Sequence, residues 1–147
     1  MAERRVGCVT INVLFICTGD SARSIMAEAI LNRLGAGKFK AYSAGSQPKG
    51  DVHPGALMLL QVKGYNLTEL RSKSWDGFIG AGINFDHIIS VCNNAAGEVC
   101  PIIPGDPANY HWDIPDPAAA RDVPMAFVVA YNMLEKKISG FVASHSL

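Results

Sequence analysis

The chain has no excess of charge of either sign. Thirteen Lys and Arg balance thirteen Asp and Glu, and no long run of one sign occurs, which argues against a nucleic-acid track or a membrane-surface patch. No apolar segment reaches the ~20 residues that a membrane helix needs. Internal repeats, low-complexity tracts and interdomain linkers are also missing from the 147 residues. One domain over 1–147 is therefore expected, large enough to bury about 70% of the surface its unfolded form exposes. Cysteine is sparse, at four residues: Cys8, Cys17, Cys92 and Cys100. None forms a Cys-x-x-Cys pair and none has zinc-ligand spacing, so neither a disulfide framework nor a metal is expected to hold the fold.

What remains is a regular alternation of apolar patterns. Residues 12–17 form a near-continuous apolar run, as in a parallel strand covered on both faces. Ile25, Met26, Ala29, Ile30 and Leu34 recur at helical spacing, and Gly35 and Gly37 end that helix. A second strand is expected over 39–44, followed by a turn through Gly45, Pro48 and Gly50, then a helix over 53–63 with Pro54 in its first turn and Gly64 as its stop. Residues 66–84 hold a short helical turn at most.

A third strand over 87–91 runs into Cys92. Pro101, Pro104, Pro107, Pro115 and Pro117 then make 93–117 a long loop, with room for one short strand near Tyr110. Asp122 would cap a last helix, with Pro124 near its start and Phe127, Ala130, Tyr131, Leu134 and Ile138 on one face. Strands alternating with helices give a small three-layer α/β sandwich around a parallel sheet, with ligands bound beyond the carboxyl ends of its strands.

Cys17 and Cys92 both stand at such ends. After Cys17 come Thr18, Gly19, Asp20, Ser21, Ala22, Arg23 and Ser24, and a helix starting near Ser21 would point its N–H groups and positive dipole end back at the thiol. A thiol so placed should ionise easily. Arg23 offers a planar fork to two oxygens of a tetrahedral anion such as phosphate or arsenate. The plain alternative is a strand-to-helix turn with a buried cysteine, but strand, small-residue loop and helix arrive in the order the chemistry needs.

A flexible loop containing Gly97 can bring Cys92 and Cys100 together, and three thiols around an oxyanion site suggest a relay of attack, displacement and disulfide transfer. The alternative makes Cys92 a core residue and Cys100 incidental. Cys8 has no such context. Asp116, stiffened between Pro115 and Pro117, can serve as a general acid or as a turn or capping residue. His111 is read as a packed loop histidine. Arg4 and Arg5 before an apolar stretch superficially suggest a secretory signal, yet Asn12 breaks the stretch and cleavage there would destroy the Cys17 loop. The cytoplasm, where thiols stay reduced, is the expected compartment.

On these residues the chain resembles the thiol-dependent arsenate reductases that share the fold of low-molecular-weight protein tyrosine phosphatases. The resemblance spans nearly the whole chain. It rests on Val-Leu-Phe-Ile-Cys-Thr-Gly-Asp-Ser-Ala-Arg-Ser-Ile-Met-Ala-Glu at 13–28, Tyr-Ser-Ala-Gly-Ser at 42–46 and Leu-Arg-Ser-Lys-Ser-Trp at 70–75. The Cys92 to Pro101 stretch and His-Trp followed by Asp-Pro-Ala within 111–118 extend it. It implies a four-stranded parallel sheet, Cys17 as nucleophile, Arg23 and the 18–24 loop as the oxyanion site, Ser24 as a supporting hydroxyl, Asp116 as acid, and Cys92 with Cys100 as redox cysteines.

The implied activity is reduction of arsenate to arsenite in arsenic detoxification. No cofactor would be tightly bound; thioredoxin, or glutaredoxin with glutathione, would supply electrons. The other reading is a phosphatase that hydrolyses phosphate monoesters through a Cys17 phospho-intermediate. Phosphatases of this fold place tyrosines where Ala118, Ala119 and Ala120 stand here, which favours the reductase.

Two positions depart from the family pattern. Asp20 replaces the usual asparagine, so its charge would either raise the thiol pKa and weaken anion binding or be neutralised by a cation or by Arg23. The Cys92–Cys100 spacing is one residue longer than in the thioredoxin-coupled branch, which leaves glutaredoxin open.

Overall fold

The computed structural model describes residues 10–17, 19–20, 22–45, 50–68, 70–74, 85–91, 108–117, 121 and 123–144. The apolar run predicted at 12–17 is strand β1, Ile11–Cys17, and its last five residues are buried. Alternate side chains of β1 enter two clusters, as the twofold period of a strand requires. Val13, Phe15 and Cys17 join the larger core, whereas Leu14 and Ile16 pack with Ala44 and Ile88. Burial on both faces explains why this strand reads as unbroken apolar sequence.

Helix α1, Arg23–Leu34, follows, then strand β2, Phe39–Gly45, helix α2, Pro54–Val62, strand β3, His87–Ser90, strand β4, Ala108–His111, and helix α3, Val123–Ser144. The sheet order is β2-β1-β3-β4, and every pairing is parallel. The fold is thus the expected α/β arrangement with a four-stranded parallel sheet. The chain leaves β1 for β2 on one side and returns to β3 on the other. The carboxyl end of β1 therefore faces the point where the winding reverses, the usual ligand crevice of such sheets.

The short strand expected near Tyr110 is β4, and it lies at the sheet edge, where a proline-rich approach costs no central ladder bonds. Helix α1 begins at Arg23, two residues later than the start read near Ser21, and Ser21 lies outside the described residues. Asp122, the expected cap of α3, lies outside them too. Residues 70–74 form a strap: Ser74 bridges Gly45 at the end of β2, and Gly45 N–H donates to the Lys73 carbonyl at 2.8 Å. No helix among the described residues is long and apolar enough to cross a membrane.

The buried stripe of α3, namely Phe127, Ala130, Tyr131, Leu134, Ile138 and Phe141, contains all five residues read from the periodicity. Phe127 meets the first turn of α2, where His53 caps the helix by accepting the Gly55 N–H at Nδ1 (2.9 Å) and its ring lies 4.9 Å from that of Phe127. Gly55 is the close-approach point: a Cβ there would come within 2.6 Å of the Phe127 ring. Overpacking of this kind costs about 1–3 kcal/mol, whereas alanine gains at most about 1 kcal/mol of helix propensity. Gly55→Ala should therefore lower the urea midpoint of unfolding. A midpoint that stays or rises would mean that the ring yields.

Candidate active site

Strand β1 delivers Cys17 to the crevice, and α1 starts six residues on. Ala22 occupies the N-cap of α1 and makes no side-chain capping bond, so the first N–H groups of the helix are left to meet something other than a cap. The Cys17 sulfur is buried at 2% exposure. Its Sγ accepts the Asp20 N–H at 3.2 Å and lies 3.0 Å from Ser24 Oγ.

That inward-facing N–H requires a sharp turn, and Asp20 supplies it with φ of 45°. Among the described residues it is the single non-glycine with positive φ. Short side chains that bond to nearby backbone and hydroxyl groups tolerate this region best. Asp20 does so while fully buried: Oδ1 accepts the Ser24 hydroxyl at 2.6 Å, and Oδ2 accepts the Lys73 N–H at 2.7 Å. The strap also holds Gly19, whose carbonyl accepts the Ser72 hydroxyl at 3.1 Å.

A cation that answers the Asp20 charge is Lys73. Its ammonium stands 3.9 Å from Asp20 Oδ2 and 3.7 Å from Glu28 Oε1. It donates to Ser43 Oγ at 3.1 Å and to the Arg71 carbonyl, and Ser43 donates to Glu28 Oε1 at 2.6 Å. Burial pushes the Asp20 carboxyl up to about 6, against the pull of the Ser24 hydroxyl and the Lys73 charge. Burial raises Glu28 as well, opposed first by Lys73.

Burial also pushes the Cys17 thiol up, outweighing the Ser24 hydrogen bond and the Arg23 charge, while Asp20 adds to the rise. The expectation of an easily ionised thiol is thereby corrected. Desolvation of the sulfur exceeds what nearby donors return.

Arg23 is buried at 5% exposure, and its Nη1 donates to the Ile114 carbonyl at 3.0 Å. This bond ties the start of α1 to the segment that carries Asp116, two residues beyond Ile114. Asp116 is half-buried there between Pro115 and Pro117. His111, expected as a packed loop histidine, instead ends strand β4 and is exposed, with Nδ1 2.8 Å from Ser90 Oγ and Nε2 2.7 Å from Asp113 Oδ1.

The structure thus brings Cys17, Gly19, Asp20, Ala22, Arg23 and Ser24 together and links them to the Asp116 segment. Thr18, Ser21, Cys92 and Cys100 lie outside the described residues. Lys73 and Glu28 received no role from the sequence, although both sit within the motif blocks. Only their convergence across the fold marks them. Among the described residues no group of three or more His, Cys, Asp or Glu could hold a metal ion.

Residues 12–146 match the low molecular weight phosphotyrosine protein phosphatase family. The chain belongs to that family. Within reach of it, the arsenate reductase of Halalkalibacterium halodurans is 33% identical over 109 residues, covering 74% of this chain and 76% of the relative. The structure of an arsenate reductase from Archaeoglobus fulgidus superposes with a TM-score of 0.75 at 28% identity, over 89% of this chain and 98% of the other. The thioredoxin-dependent arsenate reductase of Corynebacterium glutamicum gives a TM-score of 0.67 at 26% identity, over 92% and 63%.

The buried Asp20 has a consequence for stability in this family member. Its carboxyl titrates at about 6 when folded, above the ordinary 3.8, so the folded state binds the extra proton between those values. Stability is whole below the lower pH and is lost as pH rises through the upper one, by on the order of 3 kcal/mol. Asp20→Asn keeps a side chain that tolerates positive φ and removes the ionisation. Its melting temperature relative to wild type should gain several degrees between pH 4 and pH 7, whereas a constant difference would show that the carboxylate is stabilised in place.

Proposed function

We propose that the chain reduces arsenate to arsenite by a cysteine relay. The observation that carries this reading is the Cys17 sulfur itself. It sits at the end of β1 against the Asp20 N–H and Ser24, at the start of a helix without a side-chain cap, in a chain with 33% identity to an arsenate reductase.

In the proposed reaction the 18–24 loop and Arg23 hold the arsenate oxygens, and Cys17 attacks arsenic. Asp116 protonates the departing hydroxyl. Cys92 then attacks the Cys17 sulfur of the arsenic adduct, so that the sulfur–arsenic bond breaks with its electron pair leaving on arsenic. Arsenite departs, arsenic having gained two electrons, and a Cys17–Cys92 disulfide remains. Cys100 takes over that disulfide and passes it to an external thiol. Thioredoxin fits as the reductant because a structural neighbour is thioredoxin-dependent; glutaredoxin with glutathione is the other donor to test. The domain would span 1–147 and work in the cytoplasm.

Membership of a phosphatase family keeps a second reading in view. The same cradle accepts phosphate, and ester hydrolysis needs only Cys17, Arg23 and Asp116. A purified-protein assay with arsenate and each donor system, beside a phosphate-ester control, separates the two.

Cys17→Ser should abolish both activities, because an unactivated hydroxyl is far less ionised than a thiol. Cys92→Ser should stop multiple-turnover reduction and spare ester hydrolysis; equal loss of both would assign Cys92 to structure. Arg23→Lys should lower kcat/KM for arsenate on the order of 10²-fold, since an ammonium cannot reproduce a two-pronged contact. Near-normal efficiency would contradict the role given to Arg23.

A further inference from the structure

Asp20, Ser24 and Cys17 form one hydrogen-bonded line across the base of the loop. Ser24 has a single hydroxyl proton and two neighbours that compete for it, Asp20 Oδ1 at 2.6 Å and Cys17 Sγ at 3.0 Å. While Asp20 is a carboxylate, the shorter contact holds that proton. The sulfur must then be the donor in the longer contact, which keeps Cys17 a thiol. If the carboxyl is protonated instead, it donates to Ser24 Oγ, and the Ser24 hydroxyl turns to the sulfur, where it stabilises a thiolate.

We propose that Asp20 is a positioning residue that takes up the Cys17 thiol proton through Ser24, so that the nucleophile ionises without releasing a proton to solvent. The inference rests on the reading of Cys17 as the nucleophile. The S–H bond of Cys17 breaks and its proton passes to Ser24 Oγ while the Ser24 proton passes to Asp20 Oδ1. A carboxylate and a thiol become a carboxyl and a thiolate. The charge of the pair stays at one negative throughout, and no electrons are exchanged with any other group.

The surroundings favour a shared proton. From the strap, Asp20 faces the Lys73 N–H and ammonium; from β2 it faces Ser43, and from α1 it faces Ser24, with Glu28 beyond on the same ammonium. The Arg23 charge acts on the sulfur. The Lys73 ammonium is shared between two largely buried carboxyl groups, the Lys40 charge also reaching Glu28, and the cluster is relieved when one of them holds a proton. Burial pushes the Asp20 carboxyl up to about 6, which brings proton uptake by it close to neutrality. Asparagine at this position would fix Ser24 on the sulfur through its amide N–H but could accept no proton.

The test is the rate of alkylation of Cys17 by iodoacetamide in the full chain between pH 5 and pH 10, counted by peptide mass spectrometry so that other thiols do not contribute. Two groups sharing a proton titrate as a pair. The wild type should rise to an intermediate plateau near neutrality and rise again only when the pair loses its last proton. Asp20→Asn should give a single rise, complete at a pH below the second step of the wild type. Ser24→Ala should lose the plateau and react at least about tenfold more slowly than wild type at pH 7, corresponding to one pH unit of thiol ionisation. A single-step wild-type profile, or a plateau that survives Ser24→Ala, would overturn the inference. Arsenate takes no part in this measurement, so failure to reduce arsenate would count against the functional reading alone.

Discussion

The buried carboxyl of Asp20 is the joint on which the site turns. Its backbone makes the left-handed bend that aims an N–H at the Cys17 sulfur, and its two oxygens reach in different directions. One holds Ser24 at the start of α1 and the other holds the backbone of Lys73 in the strap. Strand end, helix start and strap are thus fixed to one another by a group that takes up little space but must be desolvated to do so. The Lys73 ammonium makes that burial tolerable, and Glu28 and Ser43 complete its surroundings. Removing one partner of such a network leaves a buried charge without its counterpart, which costs far more than the network contributes when whole.

Periodicity carried most of the fold into the sequence because burial is local in its signature. Val13 to Ile16 read as a strand covered on both faces, and Phe127, Ala130, Tyr131, Leu134 and Ile138 read as one helix face. Both patterns are consequences of geometry within a single element. Helix starts were less legible: α1 begins after Ala22, which offers no capping side chain to announce it.

The site itself was legible where neighbours in sequence are neighbours in space, as from Cys17 to Ser24. It was illegible where partners meet across the fold. Lys73 lies 53 residues from Asp20, and the Ile114 carbonyl lies 91 residues from Arg23. No local pattern encodes either meeting. The ionisation of Cys17 was misjudged for a related reason: a dipole and a cation are visible in a motif, but the depth of burial that opposes them belongs to the assembled molecule.

The bond from Arg23 to the Ile114 carbonyl bears on how the guanidinium is aimed. A carboxylate in that place would hold the arginine firmly and cancel its charge, and the grip would loosen with acid and salt. A peptide carbonyl has no net charge, so this bond orients the guanidinium without itself adding a counter-charge. Because the Ile114 side chain is wholly buried, hydrophobic packing sets the position of that carbonyl. This contact therefore neither titrates nor weakens with salt as an ion pair would, and drift in exposed residues leaves the buried anchor of Nη1 in place.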